Sequence, residues 1–358
     1  MKRKTIEAPH VRRSGALIDH RKPSVRLANI EREVERQVNR MEGLLPPDAP
    51  LGHGQIGLAN AERIVEGYFS EALTSGAIGW RDSNNIEETL NFTAPPVTVN
   101  RRFEYAEFIN AESFLSETQD DLRGIGGEFK TVEYTEAKTN GRTDNRGLRV
   151  ALDLDQVADK SNWREVWTQK LVARLYRNSL RRAIALMSAA ATNTAKTWDT
   201  TAGKDPDQDV ETDLIAAQTA SGVYPNRVLY GHTAWSKRRL AHRAQNTAGG
   251  FASAAMTPQE VASYLMADRA MVSKERFQST AAAKAEIVNN LVLEFTANDG
   301  MTPEDPSNIK RFVSPVEGGG TLRVYERPLG AKLYEIIVEH YELIKITSTV
   351  GLRKLTIS

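Results

Sequence analysis

The chain has 358 residues, of which 40% are hydrophobic and 26% charged, with a formal net charge of +1, ordinary values for a soluble protein long enough for two sizeable domains. It contains no cysteine, which excludes disulfides, thiol nucleophiles and zinc–thiolate sites together. No apolar run approaches the roughly 18 residues of a membrane span, and no apolar stretch follows the basic N-terminus as a secretory signal requires, so the expectation is a protein made and kept in the cytoplasm, away from membranes.

Residues 1–26 carry Lys2, Arg3, Lys4, Arg12, Arg13, Arg21, Lys22 and Arg26 against Glu7 and Asp19, a local charge of +6 in a chain whose total is +1. Clustered Lys and Arg are what phosphate attraction requires. A solvated tail is the plainer account of the same residues. Ser24 to Leu45 reads as a helix of alternating charges, ended by Gly43 and Pro46-Pro47. Gly52 to Gly57 is a literal G-x-G-x-x-G, but a dinucleotide fingerprint needs a buried strand directly upstream, and Leu45-Pro46-Pro47-Asp48-Ala49-Pro50 cannot form one. Those glycines read instead as a flexible elbow.

Val97 to Ile109 alternates large and polar side chains among β-formers and is predicted as one strand. A second extended stretch runs from Glu128 to Thr135. Between them Ser116 to Gly127, with Asp120, Asp121 and three glycines, breaks any regular pattern and favours a solvated turn, so the three pieces make a long hairpin-like arm. A turn at Asn140, Gly141 and Gly147 leads to a strand over Leu148–Leu154, with Leu148, Val150, Leu152 and Leu154 on one face. The period then becomes helical. From Asn162 to about Ala191, Trp163, Val166, Trp167, Leu171, Leu175, Leu180, Ala183, Ile184, Met187 and Ala191 recur at spacings of three and four, forming one apolar stripe. Ser161 or Asn162 supplies the cap, and Glu165 in the first turn suits the helix dipole. Such a helix is about 45 Å long, the length of a spine.

Further on, the predicted elements are a helix over Asp209–Thr219, a buried strand at Asn226–Tyr230 and a helix over Thr233–Arg243. Thr257-Pro258-Gln259-Glu260 is a capping box opening an amphipathic helix to about Ala267. An apolar strand at Leu291–Phe295 precedes a loop from Asn298 to Asn308, and Gly318 to Gly320 punctuate the chain. Strands follow at Thr321–Arg327, Lys332–Ile346 and Leu352–Ile357. Helices, strands and long loops are mixed, so the class is α+β.

Catalytic and ligand motifs fare poorly. Asp205, Asp207, Asp209, Glu211 and Asp213 alternate as calcium ligands can, but the sixth position counted from Asp205 is Val210 and the twelfth is Ala216, so the reading is a solvated loop that also favours the N-terminus of the following helix. The six histidines show no H-E-x-x-H pairing, and no G-x-S-x-G elbow occurs. No catalytic residue, metal ligand or cofactor is therefore assigned, and the chain is read as not an enzyme. Trp163 and Trp167 are expected in the core, one turn apart. Arg174, Arg177, Arg181 and Arg182 on the long helix are expected to be solvated, to face nucleic acid or to bridge to acidic neighbours.

The order of pieces resembles the major capsid protein of tailed double-stranded DNA phages, the Hong Kong 97-like fold, over roughly residues 95–358. The matching phrases are APPVTVNRRFEYAEF, FKTVEYTEAKTNGRTDNRGLRVAL, NWREVWTQKLVARLYRNSLRRAIALMSAAA, YPNRVLYGHTAW, LVLEFTANDGMTPEDPSNIKRFVSP and VYERPLGAKLYEIIVEHYELIKITSTVGLRKLTIS. The resemblance implies an N-terminal arm and helix over 1–94 and a peripheral domain over 95–200. That domain would hold an E-loop at about 110–140 and a spine helix at about 162–191. An axial domain over 201–320 and C-terminal strands over 321–358, returning to the peripheral domain, complete the layout. It implies self-assembly as hexamers and pentamers into an icosahedral head around double-stranded DNA. Portal and scaffolding or cement proteins would be partners, with assembly in the host cytoplasm and residence in the virion. Lys2, Arg3, Lys4, Arg12, Arg13, Arg21 and Lys22 would face the DNA without sequence preference. Asp120, Asp121, Arg123, Lys130, Lys138 and Arg142 would serve the E-loop between subunits.

Some relatives weld subunits by a Lys–Asn isopeptide bond. Lys130 or Lys138 would be the donor here, but the last Asn is Asn308, with none in the C-terminal strands, so a non-covalent shell is expected. The same-fold alternative is an encapsulin nanocompartment. Rivals from other classes are a dinucleotide-dependent enzyme using Gly52–Gly57 and a nucleic-acid-binding protein using the basic arm.

Overall fold

The computed structural model describes residues 68–358 except 81–84, 109–122, 124, 126, 129–136, 158, 303–304 and 317–319; within 1–67 it describes only β1 (Arg12–Arg13) and its antiparallel partner β2 (Ala16–Leu17). Met1–Gly67 and Tyr68–Ser358 are separate units. The helix expected over 24–45 and the Gly52–Gly57 elbow lie outside the described residues, as do Glu128–Thr135 apart from Glu128 and the Gly318–Gly320 punctuation apart from Gly320.

The second unit begins with two helices the sequence reading did not foresee, α1 (Glu71–Gly79) and α2 (Ile86–Thr93). Next come β3 (Pro96–Thr98) and β4 (Arg102–Glu107), where one strand was predicted. The chain breaks at Val99–Arg101 because its backbone changes partners. Val99 still donates to the Val313 carbonyl at 2.9 Å, whereas Arg101 accepts from Thr143 at 3.1 Å. β5 (Ala137–Arg142) and β6 (Asp144–Asp153) follow, so Asn140, Gly141 and Gly147 lie in strands, not in the predicted turn. Gly147 has a packing reason: a Cβ there would sit 2.8 Å from the Val338 carbonyl oxygen.

A short α3 (Leu154–Val157) precedes α4 (Trp163–Ala190), the predicted spine. Asn162 is its N-cap residue, but its side chain accepts no hydrogen bond there. After β7 (Thr192–Lys196) come α5 (Pro206–Ser221), β8 (Arg227–Gly231), α6 (His232–Ala244), α7 (Ala248–Ala255) and α8 (Pro258–Tyr264). The predicted capping box is present in α8, with Thr257 and Glu260 reciprocally bonded. Strands β9 (Arg269–Ser273), β10 (Arg276–Gln278), β11 (Lys284–Glu286), β12 (Leu291–Phe295), β13 (Ile309–Ser314), β14 (Arg323–Pro328), β15 (Leu333–Ile346) and β16 (Arg353–Ile357) complete the chain.

Two sheets organise these elements. In the first, β15 pairs with β6 along one edge; its other edge takes β14 and then β13, which in turn pairs in parallel with β3. The second has the order β7-β16-β12-β8-β9. The last strand, expected to return with β14 and β15, therefore joins the other sheet, between β7 and β12.

Helix α4 is shared by two cores. Its first half buries Trp163, Leu171, Val172 and Leu175 with Leu152, Val324, Ile336 and Val338 of the first sheet. Its second half buries Leu180, Ala183, Ile184 and Met187 with Leu229, Leu293 and Phe295 of the second sheet and Ile86 and Leu90 of α2. Each fully buried large apolar side chain is worth about 1.5–3 kcal/mol. The opposite face of the second sheet, Val228, Tyr230, Val292 and Leu355, packs on Val210 and Leu214 of α5, Ala234 of α6 and Val261 of α8. With helices on both faces, every residue of β8 is buried.

Candidate functional site

β4 and β5 form a two-stranded ribbon, the root of the predicted arm, with Arg102 opposite Arg142, Glu104 opposite Asn140 and Ala106 opposite Lys138. Directly opposed residues share a face. The alternate residues Phe103 and Tyr105 therefore face the other way, onto the first sheet. Phe103 and Phe312 have ring centroids 4.5 Å apart, and Tyr105 and Phe312 5.1 Å. Val97 and Leu343 complete this small cluster. Gly141 lies beneath the Phe103 ring, where a Cβ would come within 2.5 Å of it. The Tyr105 hydroxyl donates to Glu107 Oε1 at 3.1 Å; burial, and then that acceptor, push its pKa up to about 12. Backbone and hydroxyl bonds fix the ribbon further: Phe108 N–H donates to the Thr347 carbonyl at 3.1 Å, and the Thr143 and Ser314 hydroxyls meet at 2.8 Å.

The structure thus brings Lys138 and Arg142 together on the outward face of the ribbon, with Arg102, which sequence reasoning did not single out. All three are exposed. Arg123 is also exposed; Asp120, Asp121 and Lys130 lie outside the described residues. Of the basic N-terminal residues, Arg12 and Arg13 form β1, and Lys2, Arg3, Lys4, Arg21 and Lys22 lie outside the described residues.

Two buried charge networks hold the body behind the arm. Glu342, fully buried on β15, accepts from Arg182 at 2.6 Å and from Ser179 at 2.8 Å, with Arg311 at 3.8 Å. Burial would raise this carboxyl, but the neighbouring His340, Arg311 and Arg182 together hold it below its ordinary range. His340 is buried, and desolvation pushes it down to about 4. Arg177 lies 3.6 Å from Glu275, and Arg181 stacks on Phe277 at 3.9 Å. Of the four arginines singled out on the spine, Arg177, Arg181 and Arg182 are therefore engaged within the chain, while Arg174 is exposed. Trp163 is buried, as expected, edge-on to Tyr334.

The second network overturns the solvated part of the reading of the alternating acids, since Asp207 and Asp213 are buried, and bears out their place at the start of the following helix. Asp205 caps α5, accepting from the backbone of Asp207 and Gln208. Asp207 is buried and takes a bidentate pair from Arg238 at 2.6 and 2.7 Å, with His242 at 3.1 Å. Burial opposes its charge, yet the hydrogen bonds from His242 and Arg238, with the Arg238 charge, keep its pKa below the usual carboxylate range. Asp209 accepts from Lys196 and from the Trp198 indole, and Asp213 from Thr194 and Arg353. Near Asp213, Glu294 of β12 is fully buried with no hydrogen-bond partner for either oxygen among the described residues, and burial raises its pKa well above the usual value.

Among the described residues, no three His, Cys, Asp or Glu side chains form a group that could hold a metal, and no helix is long and apolar enough to cross a membrane. Of the buried acids named above, Asp207, Asp213 and Glu342 are engaged in internal pairing, and Glu294 is not. The arrangement presents a ribbon on a two-sheet body.

No protein-family model and no curated protein matches the sequence. Solved structures do match the fold. A phage-related protein from Bordetella bronchiseptica RB50 is 16% identical, with a TM-score of 0.59 covering 80% of this chain and 96% of that one. The cyanophage P-SCSP1u capsid structure matches with 10% identity and a TM-score of 0.49, over 78% and 90% of the two chains. A virus-like particle from Pyrococcus furiosus matches with 13% identity and a TM-score of 0.44, over 81% and 100%. The expected α+β, Hong Kong 97-like fold is the fold of this chain.

Proposed function

We propose that the chain is a major capsid protein, self-assembling as hexamers and pentamers into the icosahedral head of a tailed phage around its double-stranded DNA. One observation carries the reading: a two-stranded ribbon anchored by its inner face on Phe312 presents an exposed, basic outer face on a body built around one 28-residue helix. Such a ribbon makes its outward contacts beyond its own subunit. The fold shared with a phage-related protein supports the same reading.

In this reading β4, β5 and residues 109–136 between them are the E-loop, and α4 is the spine of the peripheral domain. The second sheet with α5 to α8 is the axial domain. The basic residues Lys2, Arg3, Lys4, Arg12, Arg13, Arg21 and Lys22 contact the packaged DNA through phosphates, without sequence preference. Portal and scaffolding or cement proteins complete the head, which is assembled in the host cytoplasm and leaves in the virion. The protein has no catalytic role. Negative-stain electron microscopy of the chain expressed alone and with its neighbouring genes, with absorbance at 260 and 280 nm on the particle fraction, tests the proposal. Capsomer rings or angular shells are expected; a monomer or dimer in every salt condition and co-expression would refute it.

A further inference from the structure

We infer that the outward face of the β4–β5 ribbon is an interface with a second copy of this chain, seating in that copy's acid-lined groove between α2 and the edge strand β9. The inference rests on the capsid reading and specifies surfaces that reading leaves open.

The ribbon side of the argument is electrostatic. Arg102 and Arg142 are directly opposed, with Lys138 further along the same face, and none of the three forms an ion pair among the described residues. Glu104 shares the face and pairs with none of them. Like charges directly opposed destabilise a strand pair, and counter-charges from outside the subunit relieve that repulsion. Neighbouring cations are already engaged: Arg101 stacks on Tyr341 at 4.0 Å, and Arg146 pairs with Asp144 at 3.1 Å.

The groove supplies the complement. It is lined by Glu87 and Glu88 from α2 and by Asp299 from a distant loop, against one cation, Arg269. Glu87 and Glu88 form no ion pair among the described residues, and the Asp299 side chain, though 3.1 Å from Arg227, is 83% exposed. Carboxylates in a first helical turn suit the dipole of α2, which accounts for the two glutamates but not for Asp299 gathered beside them. Ile78, 51% exposed, with Pro96 and Met271 gives the groove apolar ground on which arginine stems can lie. Ribbon and groove are different parts of one surface, so the contact is head-to-tail, the kind that closes into rings. Nucleic acid is the less favoured occupant, because Glu104 interrupts the cations on the ribbon face.

Charge exchange tests this. Arg102→Glu with Arg142→Glu, and separately Glu87→Lys with Glu88→Lys, should each raise the concentration needed for capsomer or shell formation by about tenfold or more. The four changes combined should restore assembly. Thermal melts of the unassembled chains show whether each variant folds. For any that does not, the neutral pair Arg102→Gln and Arg142→Gln replaces it, expected to raise the assembly concentration and weaken its salt dependence. Assembly at the normal concentration with the ribbon reversed overturns the inference while leaving the capsid reading intact. So does loss in both reversed variants without rescue by their combination, or an unchanged salt dependence in the neutral pair. Normal shells from the ribbon variant with a lowered 260/280 ratio would assign that face to nucleic acid and also overturn it. Absence of any rings from the unaltered chain is instead the failure of the capsid reading itself.

Discussion

Replacing Asp207 with Asn strips the counter-charge from Arg238, whose side chain has no solvent exposure. The two residues join α5 to α6 by two short bonds, and Arg238 also donates to the Ser253 carbonyl at 3.2 Å, tying in α7. Removing one partner of a buried ion pair costs about 3–5 kcal/mol, because the other charge stays desolvated. For a unit the size of Tyr68–Ser358, at about 2 °C per kcal/mol, the melting temperature should fall by about 6–10 °C. The pH dependence has a definite sign. The native pKa of Asp207 lies below its unfolded value, so its contribution is fully present above the unfolded value and is lost as pH falls through the native one. Asp207→Asn should therefore flatten the acid limb of stability against pH. The control is the double variant Asp207→Leu with Arg238→Met, expected to melt within a few degrees of the parent since an apolar pair can replace a buried ionic one. Scanning calorimetry measures all three. A loss below about 1 kcal/mol for Asp207→Asn, or a double variant as damaged as the single one, would refute the charge argument.

Three further outcomes follow from particular contacts. Phe312→Ala removes the ring beneath Phe103 and Tyr105 and should cost about 3–5 kcal/mol; hydrogen exchange should rise first in β4 and β5, and a uniform rise would contradict the anchoring role. Glu294 has a native pKa raised by burial, so its contribution is present below the unfolded value and lost as pH rises through the native one. Glu294→Gln should remove that alkaline loss, as denaturant titrations between pH 5 and pH 9 would register, and an unchanged profile would place its oxygens in contact with water. Particles boiled in detergent should run as single chains on a denaturing gel, since no Asn follows Asn308; a covalent ladder would contradict that.

What the sequence revealed depends on the range of the interaction. The spine, β12 and the α8 capping box were legible because periodicity and caps are local, and α4 begins one residue after the predicted start. The break between β3 and β4 was not, because a single turn-former, Asn100, between Val99 and Arg101 does not interrupt a strand pattern by itself; the break comes from a change of pairing partner, β13 for β5. Strand alternation in β16 was readable, but its choice between two sheets was not. The acids of α5 misled for the same reason: their partners Arg238 and Arg353 lie far along the chain, and spacing alone cannot reveal burial. Arg142 was named among the arm residues, yet its opposition to Arg102 exists only once the ribbon's register is known.

Sharing one helix between two cores has a mechanical meaning. α4 cannot bend where its two halves meet without opening apolar contacts with the first sheet, with the second sheet and with α2. Stress applied to either end is transmitted along the helix instead of being absorbed in it, so Tyr68–Ser358 behaves as a strut.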